Sequence, residues 1–178
     1  MKTITIEIPD GNRAEWINGV LTLIDEAPKD VTERIKTFDD AAAELGDNHP
    51  LVKQYFASVE VNDENLIAYQ QLRIIAAALN EGWKPRFAEA EYRWYPWFYL
   101  YTQEEIDKMD DDKKKGLVRF GGHASYGSLS GLGYSLSYYA FSYSYANCGS
   151  RLAVKSKELA EYFGKQFIHI WKNFLIGE

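Results

Sequence analysis

His123 and Ser125 stand two residues apart behind the pair Gly121-Gly122, and offer the two groups of a base-activated nucleophile. Such a pair also needs a carboxylate to orient the imidazole. No acidic residue lies between Asp112 and Glu158, so one would have to come from elsewhere in the fold. His49, His123 and His169 are far apart in the chain, and no zinc-protease, nucleophile-elbow, phosphate-loop or dinucleotide signature occurs. Cys148, between Asn147 and Gly149, has no adjacent cation to stabilise a thiolate and reads as a small buried residue. Asp110-Asp111-Asp112 lacks the glycine and distal glutamate of a calcium loop and reads as solvated charge. The sequence therefore predicts no enzyme: no catalytic residues, no metal and no cofactor.

What the chain does concentrate is the chemistry of recognition. Residues 121–150 are built from eight Ser, six Gly, six Tyr, three Ala, three Leu and single His, Phe, Asn and Cys. Charged residues are 26% of the whole chain, yet this window has none. Tyr offers a large, stiff, amphipathic contact at low entropic cost, and Ser, Gly and Asn add adaptable hydrogen bonding, which is the alphabet of binding loops. A base-stacking role for the tyrosines would require a basic groove, and the window has no cation.

Length and charge narrow the setting. The 178 residues fit one domain, or one with a small N-terminal appendage, and the net charge of −6 argues against nucleic acid. The single cysteine excludes an internal disulfide. The start, Met1-Lys2-Thr3-Ile4-Thr5-Ile6-Glu7-Ile8, has no apolar signal core, and no apolar run approaches the ~20 residues of a membrane span, so the expectation is a soluble protein, cytoplasmic when made.

Periodicity supplies the elements that would position the window. Ile4, Ile6 and Ile8 alternate as a first strand, and Trp16-Ile17 and Val20 to Leu23 flank Asn18-Gly19 as a type I′ hairpin. A helix from Asp30 to Gly46, with a break near Thr37, is expected, then a second capped by Asp63 and stopped by Asn80-Glu81-Gly82. Tyr92 to Tyr101 reads as a core strand covering that helix, with Pro96 favouring an edge or a bulge. Glu104 to Lys115 is a charged connector, Leu117 to Phe120 a short strand, and 157–175 a helix capped by Ser156. Within the window, Tyr139, Phe141, Tyr143 and Tyr145 share one side of a period-2 pattern, while its glycines favour turns over a long strand.

Phe120-Gly121-Gly122, Ser128-Leu129-Ser130-Gly131, Ala140 to Tyr145 and Gly149-Ser150-Arg151 together resemble the C-terminal variable region of C-type-lectin-fold proteins, above all the major-tropism-determinant-like targets of diversity-generating retroelements. In that family adenine mutagenesis cannot reach Lys, Glu, Gln, Met or Trp, and none of these lies in 121–150. The resemblance implies a variable ligand surface on a fixed scaffold and a structural arginine at the Gly-Ser-Arg close. His123 to Ser125 after the double glycine, and a long helix after the close, depart from the family pattern. The layout also resembles an uncharacterised family of phages and mobile elements of gut bacteria, which implies a phage or integrated element, with virion association as one destination.

The expected fold is α+β: a small twisted antiparallel sheet with packed helices, C-type-lectin-like in its C-terminal half, with residues 1–27 as a strand-and-hairpin appendage and 28–178 as one domain. This layout requires Leu117 to Phe120 to pair with the strand over 141–152. The expected ligand contacts are His123, Tyr126, Tyr134, Tyr138, Tyr139, Phe141, Tyr143, Tyr145 and Asn147, with Ser128 and Ser137 as polar adapters; periodicity leaves open which face is exposed. Gly121, Gly122 and Gly149 are expected to shape the backbone, and Arg151 to be partly buried and hydrogen-bonded to the scaffold. The partner expected is a protein or glycan, with no nucleic acid and no membrane insertion; a homo-oligomer is compatible with the sequence. The alternative is a structural or regulatory phage protein, such as an antagonist of host defence, in which the window is only a packed sheet.

Overall fold

Side-chain caps place most of the helix starts. A computed structural model describes residues 5–25, 28–86, 88, 91–120, 129–141 and 150–177. The expected helix after Asp30 is two helices, α1 (Val31–Arg34) and α2 (Phe38–Leu45). Thr37 divides them by forming a capping box with Asp40: its hydroxyl accepts the Asp40 N–H at 3.1 Å, and the Asp40 carboxylate accepts the Thr37 N–H at 2.8 Å. A third helix, α3 (Pro50–Val59), was not anticipated; Pro50 opens it and His49 Nδ1 accepts the Leu51 N–H at 3.2 Å. Asp63 caps α4 (Glu64–Leu79) as expected, and Glu81 and Gly82 beyond Asn80 adopt positive φ.

The strands form two antiparallel sheets. β1 (Asn12–Ile17) and β2 (Val20–Asp25) make the expected hairpin, with Asn18 and Gly19 both at positive φ. Residues 5–8 are irregular rather than a strand; Ile6 and Ile8 are exposed, so no buried face rewards their alternation. The second sheet contains β3 (Tyr92–Thr102), β4 (Leu117–Arg119) and β5 (Leu129–Phe141) in the order β3-β5-β4. β4 pairs with Gly131 to Gly133, not with residues 141–152, so the pairing required of the lectin-like layout does not occur among the described residues. The glycines do not break β5 either. Gly133 lies mid-strand, where a Cβ would come within 2.6 Å of Leu117 and 2.9 Å of Tyr101.

Between β3 and β4 the charged connector forms α5 (Gln103–Asp107) and α6 (Asp111–Lys115). After a 3-10 turn (Ser150–Leu152), Ser156 caps α7 (Lys157–Gln166), and non-helical Phe167 separates it from α8 (Ile168–Leu175). The Trp171 indole N–H donates to the Phe163 carbonyl at 3.2 Å, within this break. The core joins Leu72, Ile75 and Leu79 of α4 to Leu152, Val154, Phe163 and Trp171. β3 packs mainly against α7, and Trp94 and Phe98 turn toward the core that α7 shares with α4. No helix among the described residues is long and apolar enough to cross a membrane.

Asn80 closes the end of α4 onto the chain entering α7. Its amide donates to the Ala153 carbonyl at 2.8 Å, and its side-chain oxygen accepts the Lys155 N–H at 2.9 Å. Next to it, Glu81 bridges Arg34 at 2.8 Å and Lys155 at 2.7 Å, and these two cations hold its carboxyl below the usual range.

Three stability changes follow from this packing. Asn80→Ala leaves a buried carbonyl and N–H without their partner and should cost about 2–4 kcal/mol in a urea titration. Gly164→Ala in α7 should destabilise by about 1–3 kcal/mol despite alanine's better helix propensity, since the new Cβ would lie 2.6 Å from the Pro96 ring. The depressed Glu81 carboxyl stabilises the fold above its unfolded pKa, and this contribution is lost as pH falls through the folded value. Glu81 is partly exposed, so Glu81→Gln should remove at most about 1 kcal/mol near neutrality. In melts against pH, the gap between variant and wild type should close on the acid side.

Candidate binding surface

The register between β3 and β5 assigns the two faces of the sheet. Tyr95 opposes Tyr138, Trp97 opposes Leu136 and Tyr99 opposes Gly133, so these side chains share one face. A bulge between Trp97 and Phe98 leaves Ser135 as the extra residue of β5 and resets its phase, so that Tyr134 opposes Phe98 on the other face. That second face is packed: Trp94, Pro96, Phe98, Leu132 and Tyr134 turn toward α7 and α8, with the Phe98 and Trp171 rings 5.2 Å apart.

The first face is open. Trp97 is 56% exposed, Tyr138 55%, Tyr99 48% and Leu136 48%. Trp97 and Tyr138 meet edge to face at 6.5 Å, and Tyr99 leans on Tyr101 at 4.6 Å, so neighbouring rings brace one another on a paired strand. Tyr95 is half-buried; burial raises its hydroxyl pKa against the opposing pull of Arg93, and the phenol stays a neutral donor. The row from Tyr95 to Tyr99 and from Leu136 to Tyr138 has no formal charge. An apolar groove of about 350 Å³ lies at the margin of the packed face, between Pro96, Phe98, Leu100 and Leu132 of the sheet and Trp171, Leu175 and Ile176, and Trp97 borders it.

The residues expected to contact ligand divide accordingly. Tyr138 lies on the open face. Tyr139 is half-buried between Tyr92 and Trp94, at ring separations of 4.7 and 5.2 Å. Tyr134 and Ser137 are on the packed face, hydrogen-bonded to each other at 2.7 Å, and Ser137 is buried; neither belongs to the exposed row. Their tyrosine and serine chemistry suited a surface, but Ser137 alternates away from Leu136 and Tyr138, and the bulge at Ser135 turns Tyr134 inward as well. Phe141 pairs with Tyr92, and its side chain lies outside what is described. His123, Tyr126, Ser128, Tyr143, Tyr145 and Asn147, with Gly121, Gly122 and Gly149, lie outside the described residues.

Two corrections come from outside the central window. Arg151 was expected to be partly buried and bonded to the scaffold; it is exposed, in the 3-10 turn, and its side chain donates no hydrogen bond to another described residue. The bridge to β3 is made instead by the backbone of Val154, three residues on. Conversely, Tyr95, Trp97 and Tyr99 were expected in the core, whereas they form much of the open face. The missed signal was that β3 is aromatic at both parities, and only one parity can be covered by the helices.

Comparison with known proteins adds no assignment: no family model, curated protein or solved structure matches this chain.

Proposed function

We propose that this protein is a recognition module that binds a protein ligand through the aromatic face of its three-stranded sheet. The observation that carries the reading is the uncharged row of Trp97, Tyr99, Leu136 and Tyr138 on paired strands, each about half exposed. Tyrosine and tryptophan are enriched where proteins meet, since each removes a large apolar area from water while keeping a polar tip. The strands pre-order the rings, so that little side-chain entropy is lost on binding. An open face favours a protein surface over a small molecule, which would call for a concave site.

A finer proposal rests on the composition of 121–150: a lectin-like variable protein of a phage or mobile element, diversified within that window. It implies that sibling copies in one genome differ within 121–150 and agree elsewhere. Substitutions spread evenly along the chain favour the alternative of a structural or regulatory phage protein.

The binding proposal is tested with a ligand isolated from a host-surface extract and then purified. The double change Trp97→Ala with Tyr138→Ser should weaken its binding at least about a hundredfold while altering stability by no more than about 1 kcal/mol. Unchanged affinity in a folded double variant sinks the proposal, and competition by free oligosaccharide transfers it from protein to glycan.

A further inference from the structure

The N-terminal hairpin presents a second apolar surface. Its register sets Trp16 opposite Leu21 and Ala14 opposite Leu23, so these four side chains share one face, while Arg13 and Glu15 form an ion pair at 3.0 Å on the reverse. Trp16 is 74% exposed. Leu23 is exposed as well, and among the described residues β1 and β2 pack chiefly on each other. A two-stranded hairpin is marginal in water by itself and is made stable by further strands or a packed neighbour, so an uncovered apolar face on one marks a docking surface. The same chain carries a surface of matching character. The row of Trp97, Tyr99, Leu136 and Tyr138 is also uncharged, and it stays exposed, so the hairpin does not cover the sheet of its own chain.

We propose that two copies of this chain pair by reciprocal exchange, the Trp16 face of each hairpin lying on the aromatic row of the other copy. This rests on the reading that the row receives protein, and it names a second copy as the partner. Area decides between the possible pairings. At roughly 100 Å² for each ring that is about half exposed or more, Trp16, Trp97, Tyr99 and Tyr138 of two copies bring about 800 Å² to the contact. Leu21, Leu23 and Leu136 carry the total past the roughly 1,000 Å² that a specific interface needs. Hairpin against hairpin would bring one ring per copy, and row against row would leave both hairpins bare. Exchange covers all four surfaces, and as a two-fold arrangement it closes at the dimer. Neither surface brings a formal charge into the contact, so no ion loses its water, and the Arg13–Glu15 pair remains on the outer side of the docked hairpin. A foreign ligand for the row must then displace the hairpin.

Sedimentation of the full chain at about 1 and about 100 µM tests the exchange. Wild type should pass from monomer to dimer across this range, and amide exchange in β1 and β2 should slow as the dimer forms. Trp16→Ser with Leu23→Ser, and separately Trp97→Ala with Tyr138→Ser, should each weaken dimerisation at least about a hundredfold. Melts of both variants should match monomeric wild type. Mixed at about 1 mM, the two variants should associate more than either alone, because the intact hairpin of one still fits the intact row of the other. The exchange is overturned if either folded variant dimerises like wild type, if the mixture gains nothing, or if assemblies grow beyond the dimer. A wild type still monomeric at about 1 mM also overturns it, while leaving the row open to a foreign ligand, whose own affinity measurement decides that reading separately.

Discussion

The short run Leu152 to Lys155 holds the molecule's two layers together. Leu152 and Val154 are buried in the core, and the Val154 N–H and C=O pair with the backbone of Trp94 at 3.0 and 3.1 Å. On its other side, Asn80 bonds Ala153 and Lys155. One extended segment therefore satisfies the end of α4 and the outer edge of β3 at once. An extended chain directs successive backbone groups to opposite sides, which lets alternate residues address the helix and the strand. With this run fixed, Ser156 can start α7, and α7 and α8 then cover one face of the sheet.

Covering one face exposes the other. α7 approaches β3 and β5 closely because Gly164 stands opposite Pro96 and Tyr134, and Phe163 and Trp171 fill the space beside it. Trp94, Pro96 and Phe98 of β3 are spent on this packing, while the residues between and beyond them, Tyr95, Trp97 and Tyr99, are left as a row over β5. α5 covers only one end of that row, where Ile106 is fully buried against Gly131. The proposed binding face thus comes from the same packing that makes the core, and its rings inherit the rigidity of the sheet.

How far the sequence disclosed this depended on the range of the interaction. Local chemistry was legible: the Asn18-Gly19 turn, the caps at Asp30, Asp63 and Ser156 and the break at Thr37 each rest on contacts within a few residues. Long-range choices were not. The pairing of β4 with Gly131 to Gly133, the inward turn of Tyr134 and Ser137, and the exposure of Trp97 all depend on the bulge at Ser135 and on which parity the helices cover. A serine in a run of serines does not announce a bulge. The continuity of β5 through its glycines was likewise hidden, because it depends on Leu117 and Tyr101 crowding Gly133. For Arg151, a local reading of Gly149-Ser150-Arg151 assigned to the arginine an anchoring that Val154 performs with its backbone.

An uncharged aromatic row beside a sheet edge is also an aggregation hazard, because an edge strand offers its outer N–H and C=O groups to any extended chain. β3 is such an edge, and three features restrict it. Trp94 directs both backbone groups outward and spends them on Val154. Pro96, two residues on and facing the same way, has no N–H to give. Immediately afterwards, the bulge opposite Trp97 and Phe98 breaks the regular ladder. Addition of a further strand would therefore meet a filled position, a missing donor and a kink within five residues. The side chains of Tyr95, Trp97 and Tyr99 remain accessible from above, while their backbone is guarded from the side. That division favours a partner that docks on the rings over one that extends the sheet.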